Sequence, residues 1–232
     1  RGASVGSEYF DCFRPLRAEK REFHTEAARE LAAELSELGK AEDFYGAAPL
    51  LYRKLKEHAG QFRLWLEIEA VRPAGSGWAV DLADAAGVST IECRRVIDCT
   101  PECVTNPEFR RNNLTKLRLS AAIHADAPEA LREWNRPDFL TVRPGRRADE
   151  LLLTLALPAA TPLPEARRRL LELWLARPAG CAGCRMLAIA KQPEYRVREN
   201  RREFAPGYRY FNSGSFADAL EAIDHSEVTE CF

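Results

Sequence analysis

The sequence predicts a mixed α/β fold of the α+β type, in which a β-meander is followed by a mixed sheet with peripheral helices. Two patterns support this prediction. Several short segments alternate apolar and polar residues, which is the two-residue period of a half-buried strand. Helical patterns precede the meander, and further helices are interspersed among the later strands. That order differs from the regular strand–helix alternation of a parallel βαβ series.

Composition narrows the classes of function. The 232 residues are 46% hydrophobic and 30% charged, as in ordinary globular domains. Thirty-four basic and 35 acidic residues leave a net charge of −1, so no strong basic field exists to attract nucleic acid. No apolar run reaches the roughly 18 residues of a membrane-spanning helix, and no signal peptide is evident. We therefore expect no nucleic-acid or membrane partner and a cytoplasmic location.

Two helices are predicted before the meander. Apolar residues at helical spacing predict the first helix from Phe23 to Leu38, with Gly39 as its stop. The second begins at Pro49, a residue favoured at the first helical position, and Gly60 ends it.

The meander occupies the stretch from Gln61 to Thr100. Its strands are predicted at 62–69, 78–82 and 89–99, with turns at 72–77 and 84–87. The last strand ends in the polar residues Asp98 and Thr100, followed by Pro101. Because buried strands often deliver side chains to a ligand at their carboxyl ends, Asp98 and Thr100 are candidate binding residues. The same two residues would equally suit a strand end that caps a turn.

The second half alternates between strands and helices. The predicted strands are 114–124, a hairpin of 139–142 with 150–157, and 185–191 with an extension at 195–202. The predicted helices are 128–134, 165–176 and 217–224, the last with Ser215 as its N-cap.

The segment from Tyr195 to Arg202 is dense in charge. Several guanidinium groups around the carboxylate of Glu199 would make a positively charged fork suited to an anionic ligand. A surface strand with a solvated arginine–glutamate ladder would have the same composition.

The seven cysteines are expected to be reduced thiols, because no export signal is evident. Cys181-x-x-Cys184 could be a redox dithiol, or half of a zinc site completed by Cys99 and Cys103. Thiols without a special role fit equally, since this spacing is not diagnostic. The four histidines form no metal-binding pair, and we assign no metal site.

Four segments together resemble a known family. They are Val96-Ile-Asp-Cys-Thr100 after the meander, Arg198-Glu-Asn-Arg-Arg202, Gly207-Tyr208 and Phe216-Ala-Asp-Ala219, in that order. Their identity and order resemble the FAD-dependent oxidoreductases with a two-dinucleotide-binding fold, in the branch that carries an R-E-S-R-R motif.

The resemblance implies FAD as cofactor and flavin-mediated hydride or electron transfer on a small-molecule substrate. It implies cofactor contacts for Asp98 and Thr100, and catalytic positioning roles for Arg201, Arg202 and Glu199. Residues 1–107 would be part of an FAD-binding domain with a helical insertion and the meander. Residues 108–232 would be the substrate-side α+β domain.

The chain also departs from the family pattern. Pro101 stands where the family pattern has a glycine, and the sequence contains no G-x-G-x-x-G. We therefore expect an incomplete FAD/NAD(P)-binding-type fold: a fragment, one of two split subunits or a degenerate member, whose FAD site a second subunit or missing segments would complete. The alternative is a non-catalytic flavoprotein-like binding or assembly module that has lost FAD. A zinc-stabilised interaction domain is the third possibility.

Overall fold

The computed structural model describes residues 22–40, 48–57, 66–214 and 216–225, except for 127–128, 130, 132, 137 and 146–147. The helices are α1 (Glu26–Lys40), α2 (Ala48–Glu57), α3 (Pro107–Asn113), α4 (Leu163–Leu175) and α5 (Phe216–His225), with a 3₁₀ turn at Ala179–Cys181. The strands are β1 (Glu67–Ala74), β2 (Gly77–Asp84), β3 (Gly87–Cys93), β4 (Val96–Asp98), β5 (Leu114–His124), β6 (Leu140–Pro144), β7 (Glu150–Pro158), β8 (Arg185–Ile189), β9 (Glu194–Val197), β10 (Arg201–Ala205) and β11 (Tyr208–Phe211).

The strands form three sheets. The meander is an antiparallel sheet in the order β1-β2-β3. A second sheet has the order β10-β11-β4, in which β10 is antiparallel and β4 parallel to β11. The third has the order β6-β7-β5-β8, and β9 also pairs with β5. The predicted mixed fold with a meander and a mixed set of later strands is confirmed.

The main hydrophobic core covers one face of the third sheet. Strands β5, β6 and β7 supply fully buried leucines, and α4 lies across them with Ala166, Leu170 and Trp174. Burying aliphatic side chains of this size contributes about 1.5–3 kcal/mol each. Inside the sheet, the hydroxyl groups of Ser120 and Thr154 are 3.0 Å apart and satisfy each other. The third sheet thus carries the main hydrophobic core of the described residues.

The predicted strand 89–99 is wrong in one respect, because it is two strands in two sheets. The chain bends at Arg94 and Arg95, so β3 stays in the meander and β4 pairs with β11. The Val96 N–H donates to the carbonyl of Gly207 at 2.7 Å, which fixes β4 in its new sheet. Gly207 has φ +77°, a conformation that favours glycine, in the turn between β10 and β11.

The predicted turn 72–77 is also too long. β1 continues to Ala74, and the turn contains only Gly75 and Ser76. Pro73 is tolerated because β1 is an edge strand, where a missing N–H donor costs no ladder hydrogen bond. Gly39 lies within α1 instead of ending it.

Two elements escaped the sequence-based prediction. Helix α3 begins at Pro107, and the side chain of Asn106 accepts the N–H of Phe109 at 3.0 Å as its N-cap. An asparagine followed by proline is a start signal for a helix that the sequence did show. The other element is β11.

The predicted extension 195–202 is two strands, β9 and β10, in different sheets. Predictions for residues 62–65, Gly60 and Ser215 lie outside the described residues. The proposed domain boundary after residue 107 stays a prediction; β4 precedes it and pairs with β11, which follows it. Within the described part of the chain, no helix is both long and apolar enough to span a membrane.

Candidate functional site

The candidate site is a row of residues across the second sheet. Asp98 on β4 is in register with Tyr210 on β11, and Tyr210 is in register with Arg202 on β10. Registered neighbours in a sheet project from the same face. The fold therefore brings together two segments that the sequence singled out, the polar end of residues 96–100 and the charged segment 198–202.

Asp98 organises the loop that follows β4. Its side chain is buried, with 3% exposure. One carboxylate oxygen accepts the N–H of Thr100 at 2.7 Å and its hydroxyl at 2.6 Å. The other accepts the N–H of Thr105 at 3.0 Å and its hydroxyl at 2.6 Å. Both oxygens are thus engaged within the chain, as a buried carboxylate requires.

Thr100 belongs to the same network. Its hydroxyl donates to Asp98 and accepts the N–H of Val104 at 3.0 Å. The two residues predicted to bind a cofactor therefore bind each other and shape residues 99–105. Their direct contact with a cofactor stays a prediction.

Two tyrosines of β11 anchor that loop from the sheet. The Tyr208 hydroxyl donates to the Thr105 hydroxyl at 2.8 Å, and the Tyr210 hydroxyl donates to the Pro101 carbonyl at 3.3 Å. Burial raises the pKa of Tyr208 to about 12 and also raises the pKa of Tyr210, which disfavours the ionised form of both hydroxyls. Aromatic rings surround the pair: Trp78, Phe109 and Phe204.

The charged segment after β9 makes one ion pair. The Arg202 guanidinium donates to the Glu199 carboxylate at 2.6 Å and lies over the ring of Phe109, 5.5 Å from its centroid. Side-chain exposures of 47% and 44% leave the pair open to solvent. In this geometry an arginine can orient a carboxylate or accept an anionic ligand on its free N–H groups.

Arg201 lies apart from that pair. As its neighbour on β10, it projects from the opposite face of the sheet. There it borders a shallow surface depression with Asn200, Asn212 and residues of α5, including Asp218 and Glu221. The predicted fork of several guanidinium groups is thus divided between two faces.

Two buried asparagines were missed by the sequence analysis. Asn113 ends α3 and hydrogen-bonds to the backbone of Arg198 and Glu199. Asn212 follows β11, and its backbone N–H and side-chain amide bond to Asn200 at 2.7 and 3.1 Å. No local sequence pattern distinguishes either residue, because the burial of an asparagine depends on segments that are distant in the sequence.

The cysteine pairs do not form one site. Cys181 and Cys184 are buried at the 3₁₀ turn, where the Cys184 N–H donates to the Cys181 carbonyl at 3.0 Å, and burial raises the pKa of both thiols. Cys103 is buried in the loop next to Asp98, and burial raises its pKa to about 12. Among the described residues, no three histidine, cysteine, aspartate or glutamate side chains are grouped to hold a metal. The four cysteines therefore lack the arrangement that the zinc alternative requires.

The described residues do not by themselves fit FAD. Asp98 has both carboxylate oxygens engaged in its own loop. The depression beside Arg201 is shallow and has carboxylates on its border, which would oppose a pyrophosphate. A bound dinucleotide would need additional residues to hold its phosphates.

Among the comparisons with known proteins, only those with solved structures gave matches. No protein-family model matches the chain, and no curated protein matches it. A structure of aklavinone-11 hydroxylase with FAD and aklavinone aligns at 16% identity with a TM-score of 0.47, over 79% of this chain and 40% of that one. An anhydrotetracycline hydroxylase from Streptomyces rimosus aligns at 15% identity and a TM-score of 0.45, over 89% and 46%. A flavin-dependent halogenase aligns at 13% and 0.46, over 79% and 38%.

These alignments span less than half the length of each solved structure. Their identities and TM-scores are too low to assign the chain to a family.

Proposed function

We propose that this chain is the central part of an FAD-dependent oxidoreductase that acts on a small molecule in the cytoplasm. It would supply the meander, the strand β4 that leads toward the cofactor, and the substrate-side sheet. Residues outside the described ones, or a second subunit, would hold the FAD phosphates. The redox chemistry would be the flavin's, with the protein contributing position and charge.

One observation carries the proposal. Two of the segments that bear the family resemblance are residues 96–100 and 198–202. The first lies on β4 and the second leads into β10, and these two strands flank β11 in one small sheet. The order of motifs along the chain does not require this proximity. A chance resemblance in two unrelated surface segments would have no reason to produce it.

The site residues receive roles that follow from their contacts. Arg202 and Glu199 would form an oriented pair, with the free N–H groups of Arg202 directed to an anionic group of the ligand. Solvent screens the electrostatic attraction between Arg202 and an anionic group. A bound ligand or an added subunit that excluded water would strengthen that attraction. Arg201 would take its positioning role from the opposite face of the second sheet. Asp98 and Thr100 would support the loop 99–105, and that loop would face the cofactor.

The second candidate function is a binding or assembly module without FAD. The saturation of Asp98 within its own loop favours it, because that carboxylate has no free oxygen to offer a ribose. In this alternative, the Arg202–Glu199 pair is a surface contact for a partner protein.

A visible absorption spectrum of the protein purified as its full natural chain separates the two candidates. Flavin absorption bands that persist through gel filtration support the oxidoreductase. A colourless protein that neither quenches the fluorescence of added FAD nor gains the flavin bands would overturn it and favour the module.

The role of Arg202 has its own test in the flavin-loaded protein. We expect Arg202→Ala to lower turnover by roughly tenfold or more, as for a lost charge-assisted contact. Arg168→Ala is the matched control, since Arg168 is an exposed arginine of α4 that pairs with Glu165 and Glu172 on the protein surface. Unchanged turnover in Arg202→Ala would remove Arg202 from the site.

A further inference from the structure

We infer that Asn113 is a positioning residue that sets the Glu199–Arg202 pair. The inference deepens the proposed function and rests on it for its functional meaning. Its structural content, however, concerns only this chain and can be tested without a cofactor.

Asn113 forms several hydrogen bonds with one short segment, residues 198–199. It is 3% exposed and is the last residue of α3. Its side-chain oxygen accepts the N–H groups of Arg198 at 3.1 Å and of Glu199 at 2.8 Å. Its side-chain nitrogen donates to the carbonyl of Glu199 at 3.0 Å. Its backbone carbonyl also accepts the Arg198 N–H, at 3.0 Å.

The segment needs such a partner because it connects two sheets. Strand β9 pairs with β5, whereas β10 pairs with β11, so residues 198–200 leave one ladder before they enter the other. Backbone groups in such a gap lack strand partners and must find others. A side-chain amide offers an acceptor and a donor in the spacing of a peptide group, so Asn113 replaces the missing strand at Glu199.

Helix α3 contacts both members of the ion pair. Asn113 holds the backbone of Glu199, and Phe109, one turn earlier, lies under the guanidinium of Arg202. The 2.6 Å contact between Glu199 and Arg202 closes this arrangement. One helix thereby fixes the distance between the carboxylate and the guanidinium, although α3 carries neither group.

A separate pair of hydrogen bonds limits the effect of losing Asn113. Asn212 holds Asn200 through its backbone N–H and its side-chain amide. Strand β10 therefore keeps its start when Asn113 is replaced. The expected effect is local: residues 198–199 loosen and Arg202 loses its fixed partner, while the sheets persist.

The test is NMR of the arginine side-chain Nε–H groups, with the Arg202 resonance identified by its loss in Arg202→Lys. In Asn113→Ala, we expect this resonance to shift toward the position of freely solvated arginines, because the guanidinium loses its Nη contact with Glu199 while Phe109 stays in place. Hydrogen exchange of the Arg198 and Glu199 amides should rise by roughly tenfold or more.

Two further variants sharpen the result. Asn112→Ala is the matched control, since Asn112 is the exposed neighbour of Asn113, and it should leave the resonance in place. Asn113→Asp keeps an oxygen for the two N–H groups but loses the donor to Glu199, so its resonance should lie between wild type and Asn113→Ala. This partial rescue would not follow from a general loss of stability.

An unchanged Arg202 resonance in folded Asn113→Ala would overturn the inference. If Asn113→Ala does not fold, Asn113→Asp decides alone, and an unchanged resonance in that variant has the same consequence. In the flavin-loaded enzyme, Asn113→Ala should lower turnover, and adding it to Arg202→Ala should cause no further loss. A protein without flavin would refute the proposed function and leave the NMR result intact.

Discussion

Asp98 and Arg202 lie at one level of a three-stranded sheet, with Tyr210 between them. Tyr210 is fully buried; its hydroxyl holds the loop after Asp98, and its ring meets Phe109 edge-on at 5.5 Å. Phe109 in turn lies under Arg202. The rings of Tyr210 and Phe109 thus connect the loop after β4 with the Glu199–Arg202 ion pair at the start of β10. A substitution in the loop should therefore alter the environment of the ion pair, and the reverse.

Asp98 should be the most sensitive polar residue of the site. Asp98→Asn replaces a carboxylate oxygen by an NH₂ group that faces N–H and O–H donors, so we expect a loss of about 1–3 kcal/mol in the free energy of unfolding. Urea denaturation measures it. Asp84→Asn is the control, because Asp84 accepts one hydrogen bond in an exposed turn; it should change stability by about 0.5 kcal/mol or less. Equal effects in both variants would contradict the role of Asp98 as loop organiser.

Tyr208 should make the protein sensitive to alkali. Burial raises its pKa to about 12 in the folded protein, against about 10 in the unfolded chain. The unfolded chain therefore releases this proton first. The stability contributed by the neutral phenol is complete below pH about 10 and is lost as the pH rises from about 10 to 12.

Tyr208→Phe should lower stability at neutral pH by about 0.5–1.5 kcal/mol, because Thr105 loses its donor. Its stability should then fall less steeply than wild type above pH about 10. Urea midpoints across this range measure both effects. Tyr52→Phe, at a side chain that is 63% exposed, should keep the wild-type slope. A Tyr208→Phe slope equal to that of wild type would show that Tyr208 ionises normally.

Asp224 should connect the first and last described helices. Its side chain is 4% exposed and accepts the N–H groups of His24 and Thr25 at 2.7 Å each, at the start of α1. Burial opposes its ionisation, but the hydrogen bonds from Thr25 and His24 outweigh burial and hold its pKa below the ordinary value. This contribution is present above the unfolded pKa of about 4 and is lost as the pH falls below it.

Asp224→Ala should therefore cost about 1–3 kcal/mol at neutral pH, and the difference from wild type should shrink below pH about 4. His24→Ala is the control, since the His24 ring is 80% exposed and its removal leaves the backbone caps in place; it should cost about 1 kcal/mol or less. Thermal denaturation between neutral and acidic pH gives both comparisons. A constant difference at all pH values would exclude Asp224 as the titrating group.

Cys181 and Cys184 should be slow to alkylate in the folded protein. Both are buried, and burial raises the pKa of each thiol, which lowers the population of the reactive thiolate. Peptide mass spectrometry after iodoacetamide treatment should show labelling slower by roughly tenfold or more than in urea. Equal rates in both conditions, or stoichiometric zinc in metal analysis, would contradict their assignment as buried, unligated thiols.

Local patterns were sufficient for most elements. The two-residue alternation at Leu114–His124 predicted β5 with its observed ends, because burial on a sheet face acts on every second residue. The apolar runs around residues 139–157 predicted the hairpin of β6 and β7 for the same reason. Helix α3 also has a local start signal in Asn106 and Pro107, an N-cap residue followed by proline at the first helical position.

The sequence by itself determined the fold class, the meander and the charged segments that are candidates for function, since these follow from periodicity, turn residues and residue chemistry within a few positions. Only the tertiary structure decided that residues 89–98 divide between two sheets, that Arg202 lies in register with Tyr210 and Asp98, and that Asn113 and Asn212 hold the segment between β9 and β10. Strand pairing between distant segments depends on which backbone groups meet after the chain has collapsed, and no local pattern encodes that choice.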